Sequence, residues 1–479
     1  MPNLDQRLAA AQTTLKATGQ SHLLNFYDDL NERARDSLLS QIESQDWHRL
    51  SELIQSHVLN TPDMHLPTNL QPAPYFPTEP TPELAEQYQQ AEQLGEQLIR
   101  DGKVAPFTVA GGQGTRLGWD GPKGTFPATP ITGKPLFQVF AEYLRKVEMK
   151  YDTKLTWYIM TSPINDAPTR SFFDEHNHFG FAKDRIVFFE QGTIPSFSLD
   201  GKALLESPEK LATNPDGHGG SLLALHKSGA LNRMKKDGVE QISYFQIDNP
   251  LVKCIDPLFI GLHAQANAQM SSKMVKKVSP EEKVGVFCLA DNRIQIIEYS
   301  DLFNMPGEPH KKTDNQGNLL YIGGSIAIHI INVNFVAKLN EGRFALPWHR
   351  ADKKVPHIDP DTGKKVSPSS PNAVKLESFV FDALASCDSS ILLQTLRNEE
   401  FAPIKNADGP DSPATSRKLQ SDRACRWLDA AGVTVSRRQD GTFDTLIELS
   451  PLTAISVSDI KTASDELPNR IEANERVTI

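Results

Sequence analysis

Cysteine is scarce and scattered. Cys254, Cys288, Cys387 and Cys425 are the four cysteines of the 479-residue chain, and no two form a Cys-x-x-Cys pair. That spacing argues against a zinc ribbon or a disulfide framework and for a reducing compartment. No apolar run approaches the roughly 18 residues a membrane-spanning helix needs. Met1-Pro-Asn-Leu-Asp5 has neither the basic stretch nor the apolar core of a secretion signal. These absences predict a cytoplasmic protein with no membrane partner. Positive charge is also in deficit: 60 acidic against 50 basic residues leave a net charge of -10, which argues against a general nucleic-acid partner. A local basic pocket stays possible, because net charge is global and pockets are not. No Ser-His-Asp arrangement, Cys-His pair or clustered histidine set is evident, so no protein nucleophile announces itself.

Residues 1 to about 60 show Leu23, Leu24, Tyr27 and Leu30, then Leu38, Leu39 and Ile42, at helical spacing. They predict helices that pack and do no chemistry. Pro62, Pro67, Pro72, Pro74, Pro77, Pro80 and Pro82 mark an extended connector. A helix should follow from Pro82 to Gly102, with Ala85, Tyr88, Ala91, Leu94 and Leu98 on one face. From Val104 onward, short apolar runs alternate with helical patterns. The runs Leu155–Met160, Arg185–Glu190, Ile242–Ile247 and Leu319–Ile331 predict an α/β body around a mixed, largely parallel sheet flanked by helices. Asp408-Gly-Pro-Asp-Ser-Pro413 then reads as a boundary, followed by a helix to Ala431 and short strands near Thr445 to Ile455. The partition expected is 1–100 for the helical region and connector, 101–405 for the α/β body, and 406–479 for a small C-terminal domain. Residues 463–479 are expected to be poorly ordered.

The most informative stretch is Phe107-Thr-Val-Ala-Gly-Gly-Gln-Gly-Thr-Arg-Leu-Gly118, continuing to Pro122-Lys123-Gly124. An apolar strand breaks into glycines, which let backbone N–H groups approach and cradle oxyanions. Arg116 adds a planar fork and Lys123 a point charge. A Walker A loop would need Ser or Thr where Gly124 stands, and a dinucleotide fingerprint would need Gly at Leu117. Residue chemistry alone leaves two readings: a polyphosphate loop of neither type, or an ordinary glycine turn with surface charges. Asp248, ending the apolar run Tyr244-Phe-Gln-Ile247, is either a turn cap or a carboxylate placed for a hard cation or ribose hydroxyls. Asn214-Pro-Asp-Gly-His-Gly-Gly220 opens a helix and offers free N–H groups.

Gly-Gly-Gln-Gly-Thr-Arg-Leu-Gly followed by Pro-Lys-Gly resembles the signature of the UDP-sugar pyrophosphorylases, and above all the eukaryotic-type UDP-N-acetylglucosamine enzymes. The resemblance runs in order through Trp157–Ser162, Phe188–Gly192, Pro215–Gly220, Asp248-Asn249, Glu298-Tyr299, Lys375–Phe381 and Phe401–Asp408. It implies a Rossmann-like, GT-A-like nucleotidyltransferase that converts UTP and a sugar 1-phosphate to a UDP-sugar and pyrophosphate. By the same resemblance, Val109, Ala110, Gly111, Gly112, Lys123, Gln191, Gly217, Asp248 and Lys375 bind UTP. His218, Glu298, Tyr299, Ser325, Phe379, Phe381 and Lys405 then face the sugar phosphate. Arg116, Lys123 and Lys405 are the catalytic cations, and Asp248 the ligand of Mg²⁺ (or Mn²⁺). Two departures bear on the sugar. The N-acetylglucosamine branch has Asn where His218 stands, and Gly-Asn-Ile-Ala-Asn-His where this chain has Gly324-Ser-Ile-Ala-Ile-His329, so Ser325 and Ile328 replace two amides. N-acetylglucosamine 1-phosphate is the expected substrate and glucose 1-phosphate the rival. A silent sugar-nucleotide binder is the alternative from another class.

Overall fold

The computed structural model describes residues 3–60, 69–342, 344, 346–463 and 467–479. Pro62 and Pro67 of the expected connector lie outside the described residues. The chain forms two compact units, one from 1–66, 191–223 and 345–380, the other from 67–190, 224–344 and 381–479.

In the first unit, Asn3 caps the helix Leu4–Ala17, and Gln6 returns the bond in a capping box. Helices Glu32–Glu43 and Trp47–Leu53 follow. Leu15, Leu38, Leu39, Ile42 and Trp47 bury themselves with Phe197, Leu205, Leu211, Val374 and Leu376. Arg7 pairs with Asp36 and, at 2.8 Å, with Glu43, tying the first two helices. The expectation that these helices pack is met. What they cover is a three-stranded antiparallel sheet, His349–Lys353, Ala373–Glu377 and Phe197–Ser198, in that order.

The second unit is built on a ten-stranded mixed sheet among the described residues. In chain order its strands are β1 (Gln71–Pro72), β2 (Val104–Val109), β3 (Trp157–Thr161), β4 (Ile186–Glu190), β5 (Gln241–Gln246), β6 (Met270–Lys276), β7 (Val286–Ala290), β8 (Arg293–Ile297), β9 (Gly323–Asn332) and β10 (Leu392–Gln394). The path runs β1-β7-β9-β5-β2-β3-β4, with β6 bonded to β9 and β10, and β8 to β7. From β5 through β2 and β3 to β4 every pairing is parallel. Strands β2 and β3 are buried almost throughout, as parallel strands covered on both faces must be. Pro106 fits because β3 first pairs with β2 at Phe107, one residue later.

The helix after the connector spans Ala85–Arg100, and its buried face is Tyr88, Ala91, Gly95 and Ile99. The predicted face is corrected here: Leu94 is exposed, because the helix Pro257–Gln265 packs closely at Gly95 and leaves Leu94 turned away. The helix Pro413–Ala430 starts at a Ser412 cap. Residues 467–479 were expected to be poorly ordered, yet they are ordered by pairing. Arg470–Ile471 lies beside Thr434–Val435, and Arg476–Thr478 beside Leu446–Glu448. Among the described residues no helix is long and apolar enough to cross a membrane.

Candidate active site

In a sheet of this kind ligands meet the loops beyond the carboxyl ends of parallel strands. The glycine stretch is the loop after β2. Its first residue, Ala110, still donates to the Met160 carbonyl at 2.8 Å, so the strand hands over to the loop without fraying. Asn165, wholly buried after β3, then pins it: Nδ2 donates to the Ala110 carbonyl at 2.9 Å and to the Gly112 carbonyl at 3.3 Å, while Oδ1 accepts from Ser162 N at 2.7 Å. The loop closes on itself through Gly114 N to Gly121 O (2.9 Å) and Lys123 N to Gly112 O (3.1 Å). Trp119 Nε1 donates to Thr125 Oγ1 at 2.9 Å and locks the far side. A backbone so fixed is a preformed loop rather than a loose turn.

Three charged groups act on Lys123 in this loop. Burial pushes the Lys123 ammonium below its ordinary pKa; Asp248 opposes the shift, and Lys405 and Arg116 reinforce it. Asp248, Lys405 and Arg116 thus each lie close enough to act on Lys123. Asp248 is 9% exposed at the end of β5, and its carbonyl accepts from Ile404 N at 2.8 Å. That bond places Lys405 beside it. The Lys405 ammonium lies 5.7 Å above the Phe401 ring, and its backbone N bonds Asp411 O at 2.7 Å.

Two of the predicted sugar residues are neighbours of Gly285 in this unit. Ser325 N donates to the Gly285 carbonyl at 2.8 Å, and a Cβ on Gly285 would stand 3.2 Å from Glu298 Oε1. Ser325 sits on an irregular part of β9. The β6 register moves from Ser272 to Met274 while β9 moves from His329 to Ser325. Ala327 takes a φ of 54° inside that bulge. Ser325 and Ala327 remain partly accessible, whereas Ile328 is 3% exposed and joins the apolar core with Ala110 and Ile404. Tyr299 opens the helix Tyr299–Asn304 with its ring 5.8 Å from Phe303. Phe381 is 8% exposed.

The first unit holds the other candidates. The Gln191 amide donates to the Gly217 carbonyl at 2.7 Å and to Asp216 Oδ1 at 3.2 Å. Gly217 needs to be glycine: its φ is +86°, and a Cβ would stand 2.2 Å from the Ser378 carbonyl oxygen. His218 Nδ1 accepts from Val380 N at 3.1 Å, and its ring stacks on Phe379 at 5.2 Å. Phe379 in turn stacks on His349 at 4.5 Å. Burial, with help from His349, pushes the His218 pKa down to about 4, so the ring is neutral at pH 7. Lys375 lies on the middle strand of the small sheet; burial pushes its pKa down, Glu377 opposes this and Lys353 adds to it.

Sequence reasoning passed over Asn165, Asp216 and His349. Asp216 lies in the flagged glycine loop, with its carboxylate wedged where side chains on Gly192 and Gly220 would be. Gly192 lies 24 residues upstream, so that packing could not be read from the sequence. Asn165 and His349 gave no sign either. Among the described residues no group of three or more His, Cys, Asp or Glu side chains could hold a metal ion. A magnesium ion does not require one, since it commonly takes one or two carboxylates and completes its shell with phosphates and water. Asp248, a single carboxylate close enough to act on Lys123, fits that shared arrangement.

Residues 57–475 match the UDPGP family, described as UTP–glucose-1-phosphate uridylyltransferase. The chain belongs to this family. Among curated relatives of this UDPGP-family chain, the Saccharomyces cerevisiae UDP-N-acetylglucosamine pyrophosphorylase is 34% identical, over 90% of this chain and 92% of the yeast protein. The Arabidopsis thaliana UDP-N-acetylglucosamine diphosphorylase 2 is 33% identical, over 91% and 88% respectively. Among solved structures, the Trypanosoma brucei UDP-N-acetylglucosamine pyrophosphorylase in complex with inhibitor superposes with a TM-score of 0.81 at 25% identity, covering 98% of both chains. The resemblance read from the sequence is borne out, and so is the mixed α/β fold.

Proposed function

We propose that this UDPGP-family enzyme is a nucleotidyltransferase that converts UTP and N-acetylglucosamine 1-phosphate to UDP-N-acetylglucosamine and pyrophosphate. The observation that carries the reading is the pinned glycine loop that bears Arg116 and Lys123, together with the bond from Ile404 N to the Asp248 carbonyl that brings the Lys405 segment to Asp248. A phosphate oxygen of the sugar phosphate attacks the α-phosphorus of UTP. One P–O bond forms to the sugar phosphate as the α–β bridging bond breaks, and both electrons of that bond leave on pyrophosphate. Direct attack of this kind asks the protein for positioning and charge neutralisation, not for a nucleophile.

In this reading, N–H groups of the stretch from Val109 to Gly112 cradle the triphosphate, with Arg116 and Lys123 drawing charge toward departing pyrophosphate. Lys405 orients the attacking phosphate. Asp248 would hold Mg²⁺ together with the phosphates, and the ion would neutralise developing charge. Glu298, Tyr299, Ser325 and Phe381 meet the sugar. In the first unit, Gln191 and Gly217 read the uracil, Lys375 steadies the triphosphate, and His218 and Phe379 serve the sugar. The names of the yeast and Arabidopsis relatives support the N-acetyl sugar. The burial of Ile328 in the core means that losing an amide there does not leave an unpaired polar group in the site.

The test is pyrophosphate release from UTP and Mg²⁺ with N-acetylglucosamine 1-phosphate or glucose 1-phosphate offered separately. Release is expected with the N-acetyl sugar and should fall about 10²–10³-fold in Arg116→Ala and Lys123→Ala, the cost of a lost transition-state contact. Undiminished turnover in both variants would refute the assignment.

A further inference from the structure

Lys405 stands on a segment without regular secondary structure, so something must hold it beside the turn that follows β5. Three backbone groups two residues apart do so. The Glu400 carbonyl accepts from Asn249 Nδ2 at 2.6 Å, Ala402 N donates to Asn249 Oδ1 at 3.0 Å, and Ile404 N donates to the Asp248 carbonyl at 2.8 Å. Asn249 Oδ1 also accepts from Leu251 N at 3.3 Å. One amide side chain, 5% exposed, therefore clips the Lys405 segment to the Asp248 turn.

The root of the segment is anchored independently. The Glu400 carboxylate, 1% exposed, accepts from Lys273 Nζ at 2.6 and 2.7 Å and from Thr395 Oγ1 at 2.6 Å. Lys273 is fully buried and also bonds Asp256 at 2.5 Å. With Glu400 fixed by its side chain, the bonds of Asn249 decide where the next five residues run. An Asn can do this because its amide presents a donor to one backbone group and an acceptor to another two residues away.

We propose that Asn249 is a positioning residue that sets the placement of Lys405 against Asp248, and that it acts on turnover through Lys405. The inference rests on the role given to Lys405 above. Misplacement of a catalytic group by about an ångström costs on the order of 10²-fold.

The experiment is a double-mutant cycle on the full chain. It measures kcat and KM for N-acetylglucosamine 1-phosphate at saturating UTP and Mg²⁺, in wild type, Asn249→Ala, Lys405→Ala and the double variant. Asn249→Ala should lose about 10- to 100-fold in kcat/KM. The double variant should match Lys405→Ala within about threefold, because a residue acting through Lys405 has nothing left to place. If Asn249→Ala does not fold, Asn249→Ser is read in the same cycle. Losses that multiply in the double variant would overturn the inference, as would wild-type kcat/KM in the Asn249 variant. Wild-type kcat/KM in Lys405→Ala would instead refute the role of Lys405, and the inference with it.

Discussion

Gly124 offers a test of the cradle that touches no charged group. It lies in the short turn Lys123–Thr125, and a Cβ there would stand 2.1 Å from Cε2, 2.3 Å from Cζ and 2.5 Å from Cδ2 of Phe137. That ring cannot swing aside. It is fully buried, with Phe173 at 4.9 Å and Trp157 at 6.5 Å between ring centroids. Carbon atoms settle at about 3.5–4.0 Å, so Gly124→Ala requires the turn to lift by roughly 1.5 Å. Overpacking of this size costs about 1–3 kcal/mol, which a protein with about 5–15 kcal/mol of stability survives. Lys123 is one residue away and moves with the turn. The expected result is a folded protein that has lost on the order of 10²-fold in pyrophosphate release, because misplacement is dearer to rate than to stability. Urea unfolding measures the first quantity and the turnover assay the second. Phe137→Leu in the same background should restore part of the activity by making room. Wild-type turnover in Gly124→Ala, with the protein folded, would refute the argument that the cradle must keep its position.

Other perturbations follow from the same geometry. Lys273→Met leaves Glu400 as a buried carboxylate without its cation and Asp256 with Lys253 at 3.9 Å, and should cost about 3–5 kcal/mol, read as a lowered urea midpoint. His263 is fully buried between Ser271 Oγ (2.7 Å) and Gln241 Oε1 (2.9 Å), and burial pushes its pKa from 6.5 down to about 3. The unfolded chain binds that proton first, so stability falls as pH drops below 6.5, by about 2 kcal/mol at pH 5 from this group. His263→Gln should flatten that limb of the stability curve. Chelation by EDTA should abolish turnover reversibly and leave the melting temperature of the nucleotide-free protein unchanged, since the cation is expected to be held jointly with phosphates.

The parts of the site legible in the sequence were those whose chemistry is local. A strand that breaks into glycines, an Arg and a Lys within a few residues, and an acid ending an apolar run each carry their meaning in one short window. Asn165, Asn249 and Arg417 do not. Arg417 Nη2 donates to the Pro127 carbonyl at 2.7 Å across 290 residues of chain, and nothing around Arg417 predicts that acceptor. The Leu94 error has a related cause. Apolar periodicity finds the greasy side of a helix, but the close approach at Gly95 requires the side with no side chain. The tail beyond 466 looked unanchored because its strands are two and three residues long, too short for any period to show.

The helix Pro413–Ala430 carries no candidate catalytic residue, yet polar accounting makes it indispensable. The loops that carry Lys123, Asp248 and Lys405 are irregular, and irregular backbone leaves carbonyls that no ladder satisfies. When such carbonyls are buried they need donors from elsewhere. This helix supplies them to three loops together. Arg417 and Gln420 donate to Pro127 and Ala128, just after Lys123, at 2.7 and 3.0 Å. Ser416 Oγ donates to Ala402, just before Lys405, at 2.7 Å. Arg423 Nη1 donates to Leu251, just after Asp248, and to Glu399, both at 3.0 Å. A regular element with its own backbone satisfied can spend its side chains in this way, whereas a fourth loop could not. Spaced i, i+1, i+4 and i+7 along one helix, Ser416, Arg417, Gln420 and Arg423 thus tie together the backbone that follows Lys123, the backbone that follows Asp248 and the backbone that precedes Lys405.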